Sequence, residues 1–353
     1  MKPIERLRSY MKENGIDAVL ATSELNQRYL TKFPFTDGYV LVLSDAAYLV
    51  TDFRYRESAE KDADAAFTVE TPKAHLAFID EVLRSAKARN LAVEENALSH
   101  LQYEKFSAFF SVPLSPISTA FDELRKVKDD TEIQKIAAAQ SLTDAAFQHI
   151  LSVLSPDMTE IEVALELEFF MRRNGAEKTS FDTIAVSGTQ SAVPHGVPRN
   201  VRLMKGFLTM DFGCIVDGYC SDMTRTVSIG RASEKMKRLY ETVLSAQTAA
   251  LSVLRAGITG KDADKVARDI IDSSEFKGGF GHSLGHGVGL FIHEAPRLSP
   301  GAAEPLVTGN VVTVEPGIYL PGEYGCRIED MVAITDGGCQ NFTKSPKELI
   351  EIF

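Results

Sequence analysis

Two aspartates flank the strongest turn signal in the chain. The segment Met210-Asp-Phe-Gly-Cys-Ile-Val-Asp-Gly-Tyr-Cys-Ser-Asp-Met-Thr-Arg225 contains Asp217-Gly218, a pair that favours a two-residue type I′ hairpin turn. With that turn, residue 211 pairs with 224 and residue 213 with 222. Side chains alternate along a strand, so Asp211, Asp222 and Thr224 share one face. The two carboxylates are then diagonal neighbours, about 7–8 Å apart at the backbone. Two readings fit this hairpin alone. In one, the aspartates hold a metal ion between them. In the other, Asp222 caps a turn and Asp211 is a solvated strand residue. Asp211 lies in the apolar run Phe207-Leu-Thr-Met-Asp-Phe212, where a buried ionised carboxylate is costly without a cation.

The histidines add to the first reading. Of seven in the chain, His195, His282, His286 and His293 fall in the same half as the hairpin. Six glycines between 278 and 289 surround two of them and argue against a long helix. His282 and His286 are therefore not the helical zinc motif, which also needs Glu after the first His. Gly-Lys-Ser/Thr is absent, so this is no phosphate loop either. Dense glycine instead lets backbone approach a site closely. Two glutamates follow, Glu315 in Val311-Val-Thr-Val-Glu-Pro-Gly-Ile-Tyr319 and Glu329 in Cys326-Arg-Ile-Glu-Asp330. Each alone reads as a strand-end or salt-bridged residue. With the hairpin they make four carboxylates and one imidazole.

These segments, in this order, resemble the pita-bread metallopeptidases: methionine aminopeptidase, aminopeptidase P and prolidase. The block His282-Ser-Leu-Gly-His-Gly-Val-Gly-Leu-Phe-Ile-His-Glu294 is most similar to the proline-specific branch. Thr51-Asp-Phe-Arg-Tyr55 and Leu124-Arg-Lys-Val-Lys128 resemble the creatinase-type N-terminal module that precedes it. The resemblance implies two divalent metal ions held by Asp211, Asp222, His286, Glu315 and Glu329, with Asp222 and Glu329 bridging. It implies Glu315 as general base, and His195 and His293 as groups that contact substrate and stabilise developing charge. His282, Tyr319, Arg327 and Arg297 are implied on the substrate side, Arg297 either as a carboxylate clamp or as a surface arginine. Oxygen-rich ligands favour a hard ion such as manganese, with cobalt and zinc as alternatives. The implied reaction is hydrolysis of an Xaa-Pro bond in dipeptides or short peptides, leaning to dipeptidase (prolidase) over aminopeptidase P. Homodimerisation is a further family expectation. Creatinase lacks the metal ligands, which separates it from this chain. Methionine aminopeptidase and non-catalytic relatives of the fold are the remaining alternatives.

The elements that must position these groups divide into two domains, expected at 1–124 and 125–353. Before the charged stretch Arg125–Asp130, helix patterns at 3–14, 75–89 and 101–110 alternate with strands at 17–21, 39–43, 47–51 and 91–93. That is an α/β domain. After it come helices at 131–154, 159–173, 233–255 and 261–272. Capping boxes are expected at Thr131–Gln134 and Thr159–Glu162. Strands are expected at 183–187, 206–213, 219–228, 310–315, 326–334 and 349–352. This second part is α+β, without a visible sequence repeat. The formal net charge of −11 and the acidity of both parts disfavour nucleic-acid binding. No run of about 18 apolar residues marks a membrane span, and no apolar signal segment is read at the start. Cys214, Cys220, Cys326 and Cys339 lack Cys-x-x-Cys spacing, so thiols in a cytoplasmic protein are expected. Cys214 and Cys220 flank the turn, which leaves a disulfide there as the minor alternative.

Overall fold

The computed structural model describes residues 2–353, and the chain divides into two compact units, Met1–Arg125 and Lys126–Phe353. The first is a six-stranded mixed sheet carrying helices. Its strand order is Thr68–Glu70, Ala47–Thr51, Gly38–Leu43, Ala18–Ala21, Leu91–Val93, Leu114–Pro116. Ala18–Ala21 pairs antiparallel with the hairpin strand Gly38–Leu43 and parallel with Leu91–Val93. Alternate positions of these strands (Ala18 and Leu20, Leu41 and Leu43, Leu91 and Val93) share a core with Ile79, Leu83 and Phe106.

Several elements here escape sequence periodicity. Glu24–Thr31 is a helix capped by Ser23, whose hydroxyl accepts from the Asn26 amide at 3.2 Å. Between residue 110 and the charged stretch, where no element is expected, lie the strand Leu114–Pro116 and the helix Ser118–Lys126. Burial of Ala120, Phe121 and Leu124 on one face of that helix outweighs its polar composition. The helix expected to reach residue 89 ends at Ser85.

The second unit repeats one arrangement twice. Helices Asp130–Val153 and Glu160–Arg173 form one pair, and Glu234–Val253 and Gly260–Asp272 another. In each pair a threonine, Thr159 or Thr259, caps the second helix and makes an isolated antiparallel bridge, to Arg202 and Pro305 respectively. The second pair meets through Leu239, Val243, Ala246 and Ala250 against Ala263, Ala267 and Ile271, all fully buried at helical spacing. Sequence does not reveal this recurrence because the shared requirement is only small and branched residues at i, i+4 positions.

The box at Thr159 and Glu162 forms as expected. The other lies two residues earlier than expected. The Asp129 carboxylate accepts from the Glu132 amide and the Glu132 carboxylate accepts from the Asp129 amide, both at 2.9 Å. A carboxylate at that end also gains from the helix dipole.

Two sheets carry the site. One runs Glu351–Ile352, Met223–Ile229, Gly206–Phe212, Ile184–Ser187, and the other Glu294–Leu298, Gly285–Gly287, Val311–Val314, Asp330–Ile334, Cys339–Asn341. The segments expected as single strands at 219–228 and 326–334 are each interrupted. The breaks fall at Ser221-Asp222 and Ile328-Glu329, which frees two acidic residues from regular pairing.

Candidate metal centre

The hairpin register follows from its turn. Asp217 and Gly218 both have positive φ, at 49° and 86°, as a type I′ turn requires. Val216 pairs with Tyr219, Ile215 with Cys220, Phe212 with Met223, and Asp211 with Thr224. Cys220 lies opposite Ile215, so Cys214 faces the other side of the ribbon, and all four cysteines are free.

Backbone bonds tie the late glutamates to the same place. The Glu329 amide donates to the Thr224 carbonyl at 3.1 Å, and the Glu315 amide to the Leu284 carbonyl at 2.8 Å. His286 sits in the short strand Gly285–Gly287. Only glycine fits at 285, because a Cβ there would lie 2.0 Å from the Thr313 carbonyl oxygen. That close approach seats the His286 amide 3.1 Å from Thr313 Oγ1.

Asp222, His286 and Glu329 are buried and offer ligand atoms that all lie within 4.8 Å of one another. Asp211 and Glu315 are outside that triad but line the same pocket, of about 650 Å³, together with His195, His282, His293, Arg297 and Arg327. Its apolar wall includes Phe181, Ile184, Val197, Pro198 and Ile292. Tyr319 stands behind this lining and reaches it through Arg327 and His282.

His286 shows what the centre is built for. Its Nδ1 lies 3.1 Å from the Gly287 carbonyl, which only accepts, so Nδ1 carries the hydrogen. Nε2 is then a lone pair, yet it faces Glu315 Oε1 at 3.3 Å and Asp222 Oδ2 at 3.5 Å. Burial holds the imidazole neutral, its pKa pushed down to about 3. With these carboxylates ionised, acceptors face acceptors, an arrangement that calls for a cation between them. A histidine that ligates a metal typically donates its other N–H to a carbonyl in this way.

The carboxylates carry the same signature. Burial first, then the charges of Asp211 and Glu315, hold Asp222 well above the usual carboxylate range. Burial, then Asp222 and Glu315, do the same to Glu329. Glu315 is pushed up to about 7, mainly by burial. Asp211 Oδ1 is buried and, among the described residues, has no hydrogen-bond partner. These groups fit divalent metal: hard oxygen donors, an imidazole lone pair and an uncompensated negative cluster.

Around them runs an orienting layer. Thr224 Oγ1 donates to Glu329 Oε2 at 2.7 Å and accepts from Arg327 Nε at 2.9 Å. Thr313 Oγ1 donates to Glu315 Oε1 at 3.0 Å. Arg327 Nη2 binds Asp211 Oδ2, and Nη1 donates to the Tyr319 hydroxyl at 2.8 Å. Burial opposes the Arg327 charge, but Tyr319 and the carboxylates outweigh it and hold its pKa well above the ordinary value. Tyr319, pushed up to about 12 by burial, stays a neutral phenol. His282 donates from Nδ1 to the Ser283 carbonyl at 2.8 Å, which leaves Nε2 to accept from Tyr319 at 3.0 Å. Burial lowers His282 to about 4, so this imidazole is also neutral. Thr224 and Thr313 were not singled out from sequence as functional. Strand alternation held the signal, since each shares a face with a carboxylate, Thr224 opposite Asp211 and Thr313 two residues before Glu315.

This fold and centre define a two-domain metallopeptidase. Residues 134–336 match metallopeptidase family M24 and residues 3–127 the creatinase/prolidase N-terminal domain. The chain belongs to metallopeptidase family M24, with a creatinase-type N-terminal domain ahead of a pita-bread catalytic domain. It is 37% identical over 351 residues to an Xaa-Pro dipeptidase of Pyrococcus furiosus, covering 98% of this chain and 99% of that one. The solved structure of an Xaa-Pro dipeptidase from Bacillus anthracis matches with a TM-score of 0.96 at 43% identity, covering 100% of this chain and 99% of that one. An X-Pro aminopeptidase from Thermotoga maritima MSB8 matches at 0.92 and 36% identity, covering 96% and 98%.

Proposed function

We propose that the chain is a prolidase-type exopeptidase that hydrolyses the Xaa-Pro bond, acting on dipeptides in preference to longer peptides. The observation that carries the metal chemistry is the His286 Nε2 lone pair directed at two carboxylate oxygens. Asp211, Asp222, His286, Glu315 and Glu329 would hold two divalent ions, manganese before cobalt or zinc. The chemistry such ions supply when bound is Lewis acidity and a lowered pKa for water. Glu315 receives the proton released on attack and passes it toward the leaving imino nitrogen of proline. His195 and His293 border the pocket and donate to the carbonyl oxygen as charge develops on it. Tyr319 and Arg327 hold Asp211 and His282 in place. Arg297 faces the pocket, where its guanidinium suits a bidentate grip on a substrate carboxylate. That grip favours substrates ending at proline, in line with the relatives named as Xaa-Pro dipeptidases.

Four free cysteines fit a reducing cytoplasm, and among the described residues no helix is long and apolar enough to cross a membrane. A homodimer is proposed as the working form, to be checked by light scattering on the eluting protein. The test of function is a panel of Xaa-Pro dipeptides, Xaa-Pro-Yaa tripeptides and C-terminally amidated Xaa-Pro, with manganese, cobalt and zinc. Preference for free dipeptides supports the dipeptidase. Equal cleavage of tripeptides and amides assigns the aminopeptidase reading instead.

A further inference from the structure

Lys128 and Glu294 form an ion pair in the interior of the second unit. Lys128 Nζ lies 2.7 Å from Glu294 Oε1, and the two side chains are 1% and 4% exposed. Neither residue lines the pocket, but Glu294 directly follows His293, which does. The backbone at Glu294 pairs with Gly287, the residue after His286. The His286 and His293 rings meet edge to face with centroids 4.4 Å apart. The pair thus lies directly behind the edge that presents both imidazoles.

Its space is kept open by glycine. A Cβ at Gly289 would lie 2.1 Å from Glu294 Oε1 and 3.1 Å from Lys128 Cε. Gly289 begins the tight loop that leads to His293, closed by its amide donating to the Phe291 carbonyl at 3.2 Å and anchored by the Cys220 amide donating to the Gly289 carbonyl at 2.8 Å. On the other side, the Lys128 amide donates to the Gly309 carbonyl at 2.8 Å. Lys128 is followed by Asp129, the cap of helix Asp130–Val153. The ammonium is therefore fixed at its root by backbone, and the carboxylate it holds fixes the loop.

A buried ion pair is a weak source of stability, because apolar residues of the same volume often serve the fold as well. What it supplies is one specific arrangement. We propose that the Lys128–Glu294 pair is a positioning device that sets the loop Gly289–His293, and so places His293 and the Ile292 wall against the pocket. Its activity readout rests on the Xaa-Pro peptidase reading, while its structural readout does not.

The test compares wild type with the apolar double variant K128M/E294L and the shortened variant E294D. Melting temperature, bound manganese, kcat and KM on Xaa-Pro dipeptides, and amide exchange of peptides spanning 288–294 are measured. The expected result is a double variant that melts near wild type and binds metal equally, with kcat lower by about 10–100-fold, the loss that misplacing a group by about an ångström produces. KM changes less, and exchange in 288–294 speeds up while the helices stay protected. E294D retains both charges and is expected to show the same loss in kcat, and it serves alone if the double variant does not fold. Unchanged kcat and unchanged exchange in variants that fold overturn the inference. If wild type cleaves no Xaa-Pro substrate, the functional reading fails, and the exchange data still decide whether the pair sets the loop.

Discussion

Replacing Glu315 with Gln should stabilise the metal-free protein near neutral pH and weaken it once metal is supplied. Burial, with the charge of Asp211, raises Glu315 from its ordinary 4.5 to about 7, against the opposing pull of Arg327 and the Thr313 hydroxyl. A raised pKa means that the folded state holds this proton more tightly than the unfolded chain. The stability it contributes is complete below about pH 4.5 and is lost as pH rises through about 7. At 1.36 kcal/mol for each tenfold change in ionisation, the deficit above that range is roughly 3 kcal/mol. Gln has the same shape, can accept from Thr313 through its amide oxygen, and never ionises. In urea unfolding of chelator-treated protein, E315Q should therefore match wild type in acid and exceed it by roughly 3 kcal/mol at about pH 8. His282 and His286 are displaced in the opposite sense, and both proteins contain them. With manganese in thousandfold excess over its dissociation constant, wild type gains about 4 kcal/mol. The variant, short of one ligand, gains less, and the order reverses once its affinity is weaker by roughly 200-fold or more, which holds its gain below about 1 kcal/mol. Equal stability of the two metal-free proteins at alkaline pH would refute the picture of Glu315 as a carboxylate held against its own charge for a cation.

Further expectations concern the groups around the ligands. Thr224→Val removes the hydroxyl between Glu329 and Arg327 and should lower manganese affinity by about 10–100-fold in titration calorimetry, with the fold retained. Arg297→Met should raise KM for free Xaa-Pro dipeptides by about tenfold or more, the weight of a charge-assisted hydrogen bond, and leave amidated substrates unaffected; equal effects on both would remove its role as a carboxylate clamp. Thr159→Ala removes the cap of helix Glu160–Arg173 and should cost about 1 kcal/mol in urea unfolding, without changing kcat.

How far the sequence disclosed the fold depended on what made each element. Helices with a polar face and a side-chain cap, such as Glu160–Arg173 and Glu234–Val253, were legible nearly to their ends. The strands Gly285–Gly287 and Glu294–Leu298 were not, because one is mostly glycine and the other contains Pro296. Their pairing is set by tertiary contacts of Thr313 and Leu298, which no local pattern reports. The helix Ser118–Lys126 was hidden for the opposite reason: its polar residues look like a linker until the burial of Ala120, Phe121 and Leu124 is known.

The centre shows the same division. The pairing of Asp211 with Thr224 followed from a turn of two residues, because a type I′ hairpin leaves no freedom in register. The contribution of Glu329 did not follow from any register, since it leaves the strand between Arg327 and Asp330. It enters the centre because the Ile328–Glu329 break lets its amide reach the Thr224 carbonyl. A regular strand through 326–334 would have placed Glu329 on a fixed face two residues from Arg327, with no backbone tie to the hairpin. The irregularities at Ser221-Asp222 and Ile328-Glu329 are thus part of what makes the site. Each releases one acidic side chain from the sheet pattern into the buried cluster with His286, and each falls where periodicity predicted an unbroken strand.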